Sequence, residues 1–221
     1  MDSTISSAVE DYAKAIYHLG RREDTVSTNA LASRLGVTPA SASAMVKKLG
    51  TLGLVSHEPY KGVRLTPDGE RVALEVLRHH RLLELYLTRT LDMPWDRVHD
   101  EAEVLEHVIS EDLEALIAAK LGNPTHDPHG DPIPTPDLTI DEGQTVSMQS
   151  LEPGTAGVFV RISDSDPEML RYLGARGIAP GDRFEVVDKQ PFDGPLFAVF
   201  GDVTHVLGGA LARAMRVEVH A

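Results

Sequence analysis

Apolar residues recur at helical spacing through the first third of the chain. Val9 and Ile16 lie on one face of a predicted helix over residues 8–19, and two more helices are predicted over 27–37 and from Thr38 onward. The stretches "LVSHE" and "VRLT" then have the composition of two short strands around the turn "PYKG". Three helices followed by a hairpin predict a winged helix-turn-helix, a fold typical of DNA-binding proteins.

The hydrophobic pattern changes after this domain. It predicts a long amphipathic helix over residues 67–91, one or two helices over 94–121 and a proline-punctuated loop over 122–137. From about residue 151 the chain contains short apolar runs separated by Gly and Pro, which predict a small β-barrel. We therefore expect an α+β multidomain protein, with segments at residues 1–75, 76–142, 143–150 (a linker) and 151–221.

Composition limits the chemistry that the chain can perform. Hydrophobic residues make up 42% of the 221 residues, which is enough for packed cores. The chain has no cysteine, so any bound metal must be held by oxygen and imidazole nitrogen. No stretch approaches the roughly 18 apolar residues of a membrane span, and we expect a cytoplasmic protein with no membrane association.

The net charge of −13 is unevenly distributed. The first 75 residues carry nine basic and nine acidic residues, whereas the rest of the chain carries twelve and twenty-five. Between Val37 and Arg64 four basic side chains face a single acidic one, Glu58. A locally basic surface of this kind can bind DNA phosphates although the whole protein is acidic.

The stretch "HDEAEVLEH" at residues 99–107 places six ionisable side chains in nine positions. A helix advances about 100° per residue. On such a helix four of the six side chains share an arc of about 100°, and the apolar residues lie on a different arc. These four are His99, Glu103, Glu106 and His107. Burial would raise the pKa of such carboxylates, whereas a divalent cation would favour their ionised form. The pattern therefore indicates a metal site.

The preceding helix carries a matching pair of ligands. His80 and Glu84 are four residues apart and share one helix face. If the two helices pack side by side, this pair meets His99 and forms a second cluster.

The residues alone leave two other interpretations open. In one, the acidic face is merely solvated and the protein is a dimeric winged-helix regulator that senses an organic ligand. In the other, the paired helices build a di-metal carboxylate enzyme, although neither helix carries a full Glu-x-x-His pattern.

A winged helix, an acidic His-bearing helical region and a C-terminal barrel together resemble the diphtheria-toxin-repressor family of metal-dependent transcription regulators. The most specific pieces are "HRLLELYL" (80–87), "VHDEAEVLEH" (98–107) and "DPHGDPIP" (127–134). The resemblance implies a homodimer that binds double-stranded operator DNA when Mn(II) or Fe(II) is bound, and no organic ligand. It also implies that residues 76–142 form a dimerisation and metal-binding domain and that the barrel is SH3-like (FeoA-like).

The resemblance further implies two metal sites. The primary site consists of Asp11, Glu103, Glu106 and His107. The second site consists of His80, Glu84 and His99, with Asp166 of the barrel as a candidate fourth ligand. Manganese-sensing members have carboxylates at the positions of Asp11 and Glu103, whereas iron-sensing members have methionine and cysteine. We therefore expect Mn(II), with Fe(II) as the alternative and other divalent transition metals binding in vitro.

The DNA contacts implied by the resemblance lie on the third helix and the wing. Small residues that can approach base edges are Thr38, Ala40, Ser41, Ser43 and Ala44. Basic residues suited to phosphate are Lys47, Lys48, Lys61 and Arg64. The hypothesis is a repressor of metal-homeostasis genes, in which the ion joins the DNA-binding and dimerisation domains.

Overall fold

A computed structural model describes residues 5–21, 25–58 and 62–219, which form two compact units. The first unit takes its described residues from Met1–His80, Leu105–Ser110 and Pro134–Thr139. The second takes them from Arg81–Val104, Glu111–Ile133 and Ile140–Ala221. The boundary between the two units falls immediately after His80, in the middle of a long helix.

The first unit contains the predicted winged helix. Its elements are α1 (Ser7–Gly20), α2 (Thr28–Arg34), α3 (Pro39–Thr51), β1 (Val55–Glu58) and β2 (Gly62–Leu65). Helix α3 begins where the sequence predicts, since the Thr38 hydroxyl accepts a hydrogen bond from Ser41 N and Pro39 occupies the first turn. Strands β1 and β2 pair antiparallel as the wing.

One apolar core holds the winged helix together. Ile16 of α1, Leu31 of α2, Val46 and Leu49 of α3, and Val63 of the wing are all buried in it. Because the buried residues of α3 lie on one side of the helix, its other side is turned to solvent.

Helix α4 (Pro67–Leu91) has the predicted bounds but a different environment. An amphipathic helix was expected, yet its central turns are buried on every side, including five ionisable residues. These are Arg78, His79, His80, Arg81 and Glu84. Buried charges need partners, and the arginines find them in the proline-punctuated loop: Arg78 donates to Pro134 O and Arg81 to Pro132 O. The polar face of α4 is therefore an internal surface.

The second unit contains two more helices, α5 (Val98–Leu105) and α6 (Glu111–Lys120), and the C-terminal domain. That domain comprises β3 (Val146–Ser147), a 3-10 turn (Met148–Ser150), β4 (Ala156–Arg161), α7 (Pro167–Gly174), β5 (Arg183–Lys189), β6 (Leu196–Phe200), β7 (Val203–Leu207), α8 (Gly209–Ala214) and β8 (Arg216–Val219). The strands form one antiparallel sheet in the order β3-β8-β4-β5-β6-β7, around a core that includes Phe159, Val186 and Met215. The predicted α+β class and SH3-like domain are confirmed.

The C-terminal sheet begins inside the segment expected to be a linker. Val146 pairs with Val217 of β8, and Met148 is fully buried in the core of the domain. The polar neighbours of these two apolar residues hide the short strand in the sequence pattern, so residues 146–147 belong to the sheet and residues 148–150 form the 3-10 turn that follows it.

Within residues 5–21, 25–58 and 62–219, no helix is long and apolar enough to cross a bilayer.

Candidate metal centres and nucleic-acid interface

Three of the predicted primary ligands meet in the first unit. Asp11 of α1 joins Glu106 and His107, which follow α5, and one ligand atom from each lies within 4.8 Å of the others. We call these three residues the first cluster. His107 Nε2 is 2.9 Å from Asp11 Oδ1 and 3.5 Å from Glu106 Oε1.

Glu106 and His107 lie in a turn, because α5 ends at Leu105, earlier than the arc calculation assumed. The Val108 amide donates to Leu105 O, which closes a tighter turn than a helix allows. His79 Nδ1 lies 3.0 Å from Glu106 O. In a continuing helix this carbonyl would accept a hydrogen bond from a backbone N–H, and His79 takes the place of that N–H. The turn directs both side chains toward α1.

Residues around the first cluster orient its ligands. His107 Nδ1 lies 2.6 Å from Glu10 Oε2, a contact that leaves Nε2 facing the oxygens of Asp11 and Glu106. A carboxylate on the second ring nitrogen is the usual support of a metal-bound histidine. Glu106, whose side chain is fully buried, accepts a hydrogen bond from Lys14 Nζ at 2.5 Å. Glu10 and Lys14 were not among the predicted site residues, although both lie within one helical turn of Asp11.

The first cluster fits a small divalent cation. Neighbouring ligands in an octahedral shell with bonds of 2.0–2.1 Å lie about 3 Å apart. The separations of 2.9 and 3.5 Å in the structure are close to this distance. Two carboxylate oxygens and one imidazole nitrogen are donors that Mn(II), Fe(II) and similar ions accept.

The other predicted ligand of the primary site, Glu103, belongs to the second unit. It is half-buried on α5, with Oε1 3.8 Å from His99 Nε2. His80, expected in the second site, belongs to the first unit, where its Nδ1 lies 2.5 Å from Glu106 Oε2. Their assignments to the two sites stay predictions.

Glu84, His99 and Asp164 meet inside the second unit, and from here on we call these three residues the second cluster. His99 Nδ1 lies 3.0 Å from Asp164 Oδ2 and 3.5 Å from Glu84 Oε1. Hydrogen bonding to Asp164 and then to Glu84 raises the pKa of His99 to about 10. Burial opposes ionisation of Asp164, but the His99 hydrogen bond outweighs it and lowers the pKa of Asp164 to about 2. A divalent ion at this cluster would have to displace the His99 proton.

Asp164, and not the predicted Asp166, supplies the carboxylate of the C-terminal domain to this cluster. Asp166 is the N-cap of α7, where its Oδ1 accepts hydrogen bonds from Glu168 N and Met169 N. The cap uses the side chain that the resemblance assigned to the metal.

Two further candidate ligands come from the loop "DPHGDPIP". His129 is fully buried, with Nδ1 3.5 Å from Glu84 Oε2 and Nε2 2.8 Å from Trp95 O. Burial would lower the pKa of His129, but the Glu84 carboxylate 3.5 Å away and the nearby Asp127 outweigh it and raise that pKa to about 9. Asp127 also groups with Glu84 and His129.

The loop holds these residues by local hydrogen bonds. Asp127 Oδ1 accepts from His129 N and from Asp131 N. Gly130 has φ +85°, and a Cβ there would lie 1.8 Å from Val160 O, so only glycine fits. In the sequence this loop was singled out only as a piece of the family resemblance, and His129 was not among the predicted ligands, because periodicity gives no indication that a loop histidine is buried.

The predicted DNA-facing residues of α3 share its exposed side. Ala42, Val46 and Leu49 are buried on the opposite side. The exposed residues are Ala40, Ser41, Ser43, Ala44, Lys47 and Lys48, together with Thr38 at the helix start and Arg64 on the wing. The Ser41 and Thr38 hydroxyls lie 2.9 Å apart, so the cap orients both. Lys61 lies outside the described residues.

Family models match consecutive parts of the chain. The iron dependent repressor N-terminal DNA binding domain matches residues 4–63, and the iron dependent repressor metal binding and dimerisation domain matches residues 66–135. The FeoA domain matches residues 146–219.

Individual relatives match over nearly the full length. The iron-dependent repressor IdeR of Mycobacterium tuberculosis is 30% identical, covering 95% of this chain and 96% of that protein. The diphtheria toxin repressor of Corynebacterium glutamicum is 36% identical, covering 95% of each.

Solved structures agree with this relationship. A manganese-dependent transcriptional repressor in complex with manganese has 42% identity and a TM-score of 0.88, covering 96% of this chain and 100% of that one. The relatives are repressors, and these comparisons give no support to the two alternative interpretations. The chain belongs to the iron-dependent repressor (diphtheria-toxin-repressor) family of metal-dependent, DNA-binding transcriptional repressors.

Proposed function

We propose that this chain represses metal-homeostasis genes when a divalent ion occupies the first cluster, with Mn(II) preferred and Fe(II) as the alternative. One observation carries the proposal: Asp11, from the first helix of the winged helix, meets Glu106 and His107 from far later in the chain. Residues of the DNA-binding domain and of the matched dimerisation domain thus contribute to one ligand set.

An ion at the first cluster would be held by Asp11, Glu106 and His107 together and would supply a positive charge between the two carboxylates. Asp11 on one side and Glu106 with His107 on the other then hold α1 against the turn after α5. Because α3 packs in the same core as α1, that contact restricts the orientation of α3. In a dimer, two recognition helices held at a fixed separation can enter successive major grooves.

The donor set supports manganese over softer metals. All candidate ligands are carboxylate oxygens or imidazole nitrogens, and the chain has no cysteine. Hard oxygen donors suit Mn(II), while intrinsic affinity rises from Mn(II) to Fe(II), so selection must rely on geometry and metal availability. The second cluster, with His129 beside it, would hold a second ion.

A homodimer on operator DNA is supported by the matched domains and by exposed apolar residues of the second unit. These residues are Leu91, Val104, Leu113 and Leu116. A contiguous exposed apolar patch marks an interaction site, and we propose that these side chains form such a patch and are covered by the second protomer. The basic and small side chains of α3 form the surface that would meet DNA.

The proposal is tested by DNA binding of the wild type and of Asp11→Asn. A duplex is first selected from randomised DNA by the Mn(II)-loaded wild type, and its affinity is then measured by fluorescence anisotropy at increasing Mn(II). We expect Mn(II) to tighten wild-type binding at least tenfold. Asp11→Asn should need at least tenfold more Mn(II) to reach half of its maximal DNA affinity, because the amide lacks the negative charge that holds the ion.

Asp68→Asn, in the first turn of α4, is the matched control for the loss of one carboxylate from the first unit. It should respond to Mn(II) as the wild type does. A wild type that binds the duplex equally well with chelator and with Mn(II) would contradict the proposal, as would an unchanged Asp11→Asn.

A further inference from the structure

Lys14 places a positive charge on a ligand of the first cluster. It lies on α1 one turn after Asp11, and only 11% of its side chain is exposed. Its Nζ is 2.5 Å from Glu106 Oε1, the same oxygen that lies 3.5 Å from His107 Nε2. The other oxygen, Glu106 Oε2, lies 2.5 Å from His80 Nδ1. The chain itself therefore provides a partner for each oxygen of this buried carboxylate.

We propose that Lys14 competes with the divalent ion for Glu106 and thereby sets the metal concentration at which the repressor responds. This inference rests on the proposed metal site at the first cluster. A metal-binding constant reports the difference in free energy between the metal-loaded protein and the metal-free protein. Lys14 stabilises the unloaded protein, because a buried carboxylate without a partner is costly. It also places a like charge beside the ion in the loaded protein.

Both effects weaken metal binding, so removing the charge has an unusual consequence. A substitution that only damages the site would lower metal affinity. Loss of the Lys14 charge should instead raise it, because Glu106 then lacks its ammonium partner until an ion arrives. The same loss should destabilise the protein kept in chelator, and the two changes together distinguish competition from a purely structural role.

The test uses full-length Lys14→Met, which keeps the length of the side chain but removes its charge. Mn(II) binding is measured by calorimetry on a His99→Ala background, so that the second cluster does not contribute. We expect the dissociation constant to fall on the order of tenfold relative to His99→Ala alone. In chelator the variant should unfold at a lower temperature, and Mn(II) should raise that temperature by more than it does for the parent.

Lys120→Met, at the end of α6 in the second unit, is the control for removing a lysine and should leave both measurements unchanged. If Lys14→Met does not fold, Lys14→Gln, whose amide still donates to a carboxylate, carries the same expectation. An unchanged or weaker Mn(II) affinity in the folded variant overturns the inference. Failure of the metal site itself would appear separately, as a parent protein that binds no Mn(II) or an Asp11→Asn substitution without effect.

Discussion

Asp164 and Asp166 lie two residues apart, but their carboxylates have different partners. Asp164 pairs with His99 at the second cluster, whereas Asp166 caps α7. The two aspartates occur in the stretch "SDSD", which has no helical or strand periodicity. The family resemblance implied that a carboxylate of the C-terminal domain takes part and assigned Asp166, and local spacing gave no means of telling Asp166 from Asp164. Only the folded loop makes that distinction.

This difference gives a pair of matched substitutions. Asp164→Asn should weaken binding of the second Mn(II) at least tenfold, because the amide cannot neutralise the ion. Asp166→Asn should stay within about twofold of wild type and keep α7 intact, since asparagine is as good an N-cap as aspartate. Calorimetry resolving two classes of Mn(II) sites checks both variants. A large loss of binding in Asp166→Asn with none in Asp164→Asn would reverse the assignment.

Among the elements, α5 shows what periodicity misses. The predicted arc requires a helix that continues through His107, but α5 ends at Leu105. Neither glycine nor proline marks that end in the sequence. At that end the Glu106 carbonyl is contacted by His79 from α4, which is close in space and distant in sequence. The start of α3, in contrast, was predictable because Thr38 and Pro39 form a local signal.

The exposed side of α3 makes a prediction about how DNA is bound. Lys47→Ala and Lys48→Ala should weaken binding to selected and random duplexes alike, because lysines of this kind contact phosphate. Each substitution should also reduce the slope of log affinity against log salt by about one. Anisotropy titrations at several salt concentrations measure both effects, with Lys120→Ala as the control. Unchanged salt slopes would exclude Lys47 and Lys48 from the DNA contacts.

At the scale of the whole molecule, the hydrophobic pattern was sufficient for the main elements of the fold, whereas the proposed site residues came from the spacing of ionisable side chains and from the family resemblance. It predicted the winged helix, the bounds of α4 and a C-terminal β domain, because each depends on local periodicity and turn residues. It did not predict that α4 is buried on all sides, or that His129 is buried in a loop rich in proline. Those features depend on how distant segments pack, which local spacing does not encode.

The central claim is that metal binding and DNA binding are coupled, and thermodynamic linkage provides the most direct measurement of it. If Mn(II) tightens DNA binding by some factor, DNA must tighten Mn(II) binding by the same factor. The Mn(II) dissociation constant of the wild type is therefore measured with and without a saturating amount of the selected duplex. We predict that the duplex lowers it at least tenfold, matching the factor from anisotropy. A Mn(II) dissociation constant that is the same with and without the duplex would contradict the claim.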